Sequence, residues 1–91
     1  MSDLTLVNTP EWAIVIKGII RAEMARYGVS YAELSNQLQN EFNITQTESN
    51  LKAKVNKGIL GAQLFVQILI VLGAESLNLN DTKQHYQKVK E

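Results

Sequence analysis

The sequence predicts an all-α fold, a compact bundle of four to five helices, on three observations. Hydrophobic residues recur at the spacing of a single helix face, as Leu51 and Val55 do. A glycine ends such runs, as Gly58 does a few residues later, which is typical of a helix C-terminus. Ser30 followed three residues later by Glu33 is the pattern of a capping box at a helix start.

Length and composition predict a single globular domain. The 91 residues are 45% hydrophobic and 20% charged, which is too short for two cores and too apolar for a disordered chain. We expect a flexible N-terminal arm at 1–8, one domain at 9–79, and a short C-terminal helix or tail at 80–91. The chain has no cysteine, so disulfides and thiolate metal sites are excluded.

The first two helices are predicted from their ends. Thr9-Pro10-Glu11 begins helix one, because threonine caps free amides and proline suits a first turn. This helix runs to about Tyr27, and Gly28 stops it. The capping box of Ser30 opens helix two, which ends near Phe42. The predicted core faces are Trp12, Ile16, Ile19, Ile20 and Tyr27 in helix one, and Leu34 and Leu38 in helix two.

Helix three is predicted to be short and polar. Thr45 and Glu48 are spaced as a second capping box, and the helix runs to Lys57. Leu51 and Val55 are its only clear apolar pair, so one narrow stripe fixes the helix to the core. The remaining face is expected to contact solvent or a ligand.

Helix four, from about Leu60 to Leu72 and ended by Gly73, is predicted to be apolar on all sides. A helix of this kind is either enclosed or paired with another, and so small a domain can hardly enclose it. We therefore expect a homodimer, with an interface at Ala62, Val66, Leu69 and Ile70. Asn80-Asp81 is expected to cap a short, fraying C-terminal helix that carries Tyr86 and Val89.

A family resemblance adds to this interpretation. The run Gly28–Ser35, with the hydrophobic residues and glycines that follow it, resembles the Xre and lambda-repressor class of helix-turn-helix domains. The segments 17–18, 21–24 and 47–58 look more closely like an uncharacterised family of short bacterial proteins on that scaffold. The resemblance covers about residues 12–79. It implies a lambda-repressor-like bundle in which helices two and three form the DNA-binding pair and helix three is the reader.

The resemblance and the polar face of helix three together predict contacts to double-stranded DNA. Asparagine can bind adenine by two hydrogen bonds, serine suits either base edge, and alanine contacts the thymine methyl group. The predicted base contacts are Ser49, Asn50, Ala53, Asn56 and Lys57. The predicted phosphate contacts are Lys52, Lys54 and Tyr31, the last standing where the Xre class usually has a phosphate-holding glutamine.

The same residues also suit a helix face that is merely solvated, or one that binds a protein partner. The sequence therefore leaves two main hypotheses open. One is a sequence-specific DNA-binding regulator of prokaryotic or phage type, acting as a homodimer. The other is a protein–protein interaction module on the same scaffold, without DNA binding. A small-molecule binder with a pocket between helices is a third.

Enzyme chemistry is not expected. Glu23 lies within the apolar stripe of helix one, where pairing with an amide or an arginine explains it better than catalysis. His85 is the only histidine and has no second metal ligand at helical spacing. The segment 57–61 lacks the spacing of a phosphate-binding loop. No metal and no cofactor are predicted.

The predicted compartment is the cytoplasm. The first residues lack the basic region and the apolar run of a signal peptide. The most apolar stretch, 59–74, contains Gln63 and Gln67 and is shorter than the about 20 residues that a membrane span requires. No membrane contact is expected.

Overall fold

The structure is a computed structural model that describes residues 10–91. This part of the chain forms five helices and no strand, which confirms the predicted all-α fold. The helices are α1 (Pro10–Tyr27), α2 (Tyr31–Phe42), α3 (Glu48–Lys57), α4 (Ala62–Leu72) and α5 (Leu79–Lys90). The predicted arm at 1–8 and the cap at Thr9 lie outside the described residues.

One hydrophobic cluster connects the first four helices. α1 packs against α3, α4 and α5, while α2 packs against α3 and α4. Because each of these four helices contributes a face to the same centre, the position of each one depends on its neighbours. The buried members of the cluster are Ile20, Met24, Leu34, Leu38, Leu51, Val55, Ile68, Val71 and Leu72.

The predicted core face of α1 is partly wrong. Its buried residues are Val15, Ile20 and Met24, whereas Trp12 and Tyr27 are 37% and 46% exposed. α1 is covered by α3 and α4 on one side and by α5 on another, so its apolar residues serve more than one interface. A helical wheel with a single buried face cannot represent that arrangement.

Tyr27 makes a contact at the edge of the bundle instead. Its hydroxyl donates a hydrogen bond to the backbone carbonyl of Gly73, at 3.3 Å. This bond joins the end of α1 to the end of α4. It satisfies a carbonyl where α4 stops, which is where helices leave acceptors without intrahelical partners.

Glycines end three of the helices, as predicted for Gly28, Gly58 and Gly73. Gly58 has φ +68°, a left-handed conformation that favours glycine. A Cβ at Gly58 would also overlap the backbone carbonyl of Ala13 in α1. The end of α3 therefore touches the backbone of α1 directly. α4 begins at Ala62, two residues after the predicted start at Leu60.

The C-terminal helix differs from its prediction. It has 12 residues, and its N-cap is Asn78, whose side chain accepts a hydrogen bond from the backbone N–H of Asp81. The predicted cap at Asn80-Asp81 is therefore wrong, because the N-cap lies two to three residues earlier in the chain. α5 buries no side chain fully, yet it packs along α1.

Gly18 lies at the contact between α1 and α5. A Cβ built on Gly18 would lie 2.6 Å from Cε1 of His85. The absence of a side chain at this position allows the imidazole ring to lie against the backbone of α1.

Within residues 10–91, no single helix is long and apolar enough to cross a membrane. α3 and α4 reach the required length and hydropathy only as a pair, and they are bent by 113° at the break between them.

Candidate nucleic-acid interface

α3 is fixed to the bundle along one line of its surface. Leu51 and Val55 are both fully buried, and they are the only buried residues of this helix. α1 and α2 supply the surfaces against which they pack. The predicted pair is thus the attachment of α3 to the core.

The rest of α3 faces outward. All five residues predicted to contact bases are exposed, as is one of the predicted phosphate contacts, Lys52. The helix is ten residues long, or about 15 Å at 1.5 Å per residue. Apart from Glu48 in the first turn, its exposed side chains are those that we call the α3 outer face: Ser49, Asn50, Lys52, Ala53, Asn56 and Lys57.

The start of α3 is set by a different threonine from the one predicted. Thr47 is the N-cap, and its hydroxyl accepts a hydrogen bond from the backbone N–H of Asn50 at 3.0 Å. Thr45 lies in the connector, where its hydroxyl donates to Oε1 of Gln39 at 2.9 Å. The predicted capping box of Thr45 and Glu48 is therefore wrong. Glu48 remains in the first turn, where a carboxylate complements the helix dipole.

The connector between α2 and α3 is fastened by Gln46. The hydroxyl of Ser35 in α2 donates a hydrogen bond to the backbone carbonyl of Gln46. The ammonium group of Lys54 in α3 donates to the side-chain Oε1 of the same residue, at 3.2 Å. Gln46 thereby joins the two helices through its backbone and its side chain.

This contact changes the role of Lys54. Lys54 is half-buried, and its ammonium group already has a hydrogen-bond partner. The structure thus directs it toward the connector, away from the exposed Lys52 and Lys57. Sequence reasoning missed both Ser35 and Gln46, because a contact across a connector gives no periodic signal.

Tyr31 is the first residue of α2 and packs against the hydrophobic cluster. Its hydroxyl is buried and has no hydrogen-bond partner. In this conformation the hydroxyl is not exposed beside the α3 outer face, and the phosphate contact of Tyr31 stays a prediction.

The N-terminus of α2 is occupied by the predicted capping box, which the structure confirms. The backbone N–H of Glu33 donates to the hydroxyl of Ser30 at 3.1 Å. Oε1 of Glu33 accepts from the backbone N–H and from the hydroxyl of Ser30, both at 3.0 Å. These bonds, the backbone one first, hold the pKa of Glu33 below its ordinary value of 4.5. A carboxylate therefore already fills the position that an anion would take at this helix end.

Charge is distributed unevenly between α2 and α3. α2 carries Glu33 and Glu41 and no cation, whereas α3 carries three lysines and one glutamate. The positive charge of this region is therefore concentrated on α3. The chain as a whole has a formal net charge of zero.

Two features elsewhere bear on alternative functions. Glu23 lies with one carboxylate oxygen 3.5 Å from Nε of Arg26, which confirms the predicted pairing with an arginine. An open cavity of about 340 Å³ lies beside this pair, between α1 and the start of α5, and His85 lines part of it. Among residues 10–91, no group of three or more histidine or acidic side chains is arranged to hold a metal ion.

The predicted dimer residues occupy the outer side of α4. Val66 and Ile70 are 52% and 53% exposed, Ala62 is exposed, and Leu69 is half-buried. Ile68, Val71 and Leu72 point into the core instead. α4 therefore has one apolar face in the bundle and a second that no described residue covers.

Neither a curated protein nor a solved structure matches the chain. A family profile matches residues 12–77, which include α1 to α4 and the connector after α4. α5 lies beyond the matched residues. On this match, the chain belongs to the family described as a domain of unknown function, DUF6471.

Proposed function

We propose that this protein is a sequence-specific DNA-binding regulator in which α2 and α3 act as a helix-turn-helix pair and α3 lies in the major groove. The observation that supports this most is the α3 outer face. Leu51 and Val55 hold α3 by one side only, so its polar side chains project from the bundle. A helix of this diameter fits a major groove about 12 Å wide.

The side chains of the α3 outer face suit the edges of bases. Asn50 and Asn56 each carry an amide that can donate to and accept from adenine at once. Ala53 lies between them and offers a methyl group to thymine. We assign base recognition to these three residues together with Ser49.

Phosphate binding falls to the exposed lysines. Lys52 and Lys57 can approach the backbone without breaking a contact, whereas Lys54 would have to leave Gln46. Cations at phosphates add affinity that is independent of sequence. With only two or three such contacts per protomer, we expect each bound protomer to contribute about −2 to −3 to the log–log salt slope.

The test is a gel-shift or anisotropy assay against random genomic fragments at two salt concentrations, followed by sequencing of the retained DNA. Lys52→Ala should reduce the salt slope by about 1 on every fragment. Lys88→Ala is the matched control, because Lys88 is an exposed lysine on α5, away from α3. Absence of retention at low salt would overturn the proposal.

Base recognition is tested separately from phosphate binding. Asn56→Ala should relax the sequence preference at one or two positions and leave the salt slope unchanged. Asn40→Ala, an exposed asparagine on α2, should change neither quantity. A uniform loss of affinity across all sequences for Asn56→Ala would contradict base recognition by α3.

A protein-interaction module on the same scaffold is the second candidate. The observation that favours it is the second apolar face of α4, exposed at Val66 and Ile70. Under this alternative the lysine and asparagine variants of α3 would have no DNA phenotype, and variants of α4 would abolish partner binding.

A further inference from the structure

The outer side of α4 carries a regular apolar stripe. Ala62, Val66 and Ile70 are spaced four residues apart, so they lie above one another on the same face of the helix. All three are exposed, and the two larger ones are each about half exposed. We call these three residues the α4 stripe.

The segment that carries the α4 stripe is uncharged. No charged residue occurs between Gly58 and Ala74, a segment that includes all of α4. Lys54 lines the same pocket as Ala62, but its ammonium group is bonded to Gln46. α4 itself therefore offers no charge to a nucleic acid or to a charged protein surface. The chemistry of this face fits an apolar, uncharged partner.

We propose that the partner is a second copy of this chain, bound through the α4 stripe about a two-fold axis that passes beside Val66. In this arrangement the two α4 helices run in opposite directions. Ala62 of one copy then meets Ile70 of the other, and Val66 meets Val66.

Volume and charge both support this pairing. The smallest side chain of the α4 stripe is placed opposite the largest at both ends, which evens out the gap between the helices. A two-fold axis brings only the residues beside it close to their own counterparts, so a charge at Val66 would face the same charge. The uncharged segment removes that repulsion.

The size of the α4 stripe indicates a reversible dimer. Stable interfaces bury about 800 Å² per partner, and three partly exposed side chains supply only part of this area. We therefore expect a weak, reversible dimer whose population rises with protein concentration. The proposal does not depend on DNA binding, because the α3 outer face is on a different helix.

The absence of cysteine makes a direct test available. Val66→Cys introduces the only thiol of the chain, and two such thiols would meet at the proposed axis. Under mild oxidation of dilute protein we expect rapid formation of a disulfide-linked dimer. Gln87→Cys, exposed on α5, is the control and should cross-link slowly. Equal rates for the two variants would overturn the proposed axis.

The second measurement is the mass of the protein in solution by light scattering or sedimentation. Val66→Glu should shift the wild-type dimer to a monomer, because two carboxylates would be brought together. The thermal unfolding temperature of Val66→Glu should be close to that of the wild-type protein at a concentration where it is monomeric, because Val66 is outside the core. A wild-type protein that remains monomeric at submillimolar concentration would overturn the proposal, whatever the DNA assays give.

Discussion

The ring of Trp12 in α1 stacks on the ring of Tyr86 in α5, with the ring centroids 4.5 Å apart and the ring planes 10° from parallel. Lys90 lies 6.0 Å from the centroid of the tyrosine ring. α5 buries no side chain fully, and this stack attaches it to α1 together with the packing of His85 against Gly18. We expect α5 to open locally at a lower free energy than the rest of the bundle.

Tyr86→Ala should therefore loosen α5 without unfolding the domain. Loss of the aromatic pair removes about 0.5–1.5 kcal/mol, in addition to the buried area. Hydrogen exchange should accelerate in α5 and stay unchanged in α2 and α3. Trp12 is the only tryptophan, so its fluorescence reports the same event. Tyr86→Phe keeps the ring and is the control; an equal effect of both variants would contradict the role of stacking.

Gly58→Ala should be strongly destabilising. The substitution places a side chain at φ +68° and drives its Cβ into the carbonyl of Ala13. Gly28→Ala is a close control, because Gly28 has φ +66° and no atom within 4 Å of the built Cβ. We expect Gly58→Ala to lower the free energy of unfolding by about 1–3 kcal/mol more than Gly28→Ala, measured in urea. Equal losses would show that the backbone of α1 moves aside.

The two threonines before α3 should differ in their contributions. Thr47→Ala removes the N-cap bond to Asn50 and should cost about 1 kcal/mol of stability. Thr45→Ala removes only an exposed bond to Gln39 and should cost less than half as much. The comparison is made by chemical denaturation of both variants. A larger loss for Thr45→Ala would restore the capping box that the sequence suggested.

Acid should weaken the start of α2. The pKa of Glu33 is lower in the folded protein than its ordinary value of 4.5, mainly through the backbone N–H of Ser30. The ionised carboxylate therefore stabilises the fold above pH 4.5, and this contribution is lost as the pH falls through the lowered pKa. Wild type and Glu33→Gln should differ in urea unfolding at neutral pH, and the difference should shrink as the pH falls through the lowered pKa. A difference that does not change with pH would contradict this cause.

Local signals in the sequence predicted the helix ends well. Gly28 and Gly58 adopt the left-handed conformation that stops a helix, and the capping box of Ser30 and Glu33 opens α2. Each of these features depends on residues within one turn of each other, so no tertiary contact is needed to recognise it. The narrow attachment of α3 through Leu51 and Val55 was predictable for the same reason.

Features that depend on distant residues were not predictable. Trp12 fits the core face of an isolated helix. Only the packing of α5 on α1 shows that Trp12 instead contacts Tyr86 in a second interface. Thr45 and Thr47 are both reasonable N-caps. Which of them caps α3 depends on the path of the connector, which sets the residue at which the first turn of α3 begins. The burial of the Tyr31 hydroxyl likewise depends on how α2 packs against the hydrophobic cluster.

Gln46 has a mechanical consequence for α3. α3 is held along the line of Leu51 and Val55 and at its end, where Gly58 meets Ala13 of α1. The bond from Lys54 to Gln46 acts to one side of that line, and Ser35 anchors the same residue to α2, so rotation of α3 about its own axis strains these hydrogen bonds. Gln46 thereby helps to set the direction in which the exposed amides of α3 point, and a substitution at this position would turn them relative to the bundle.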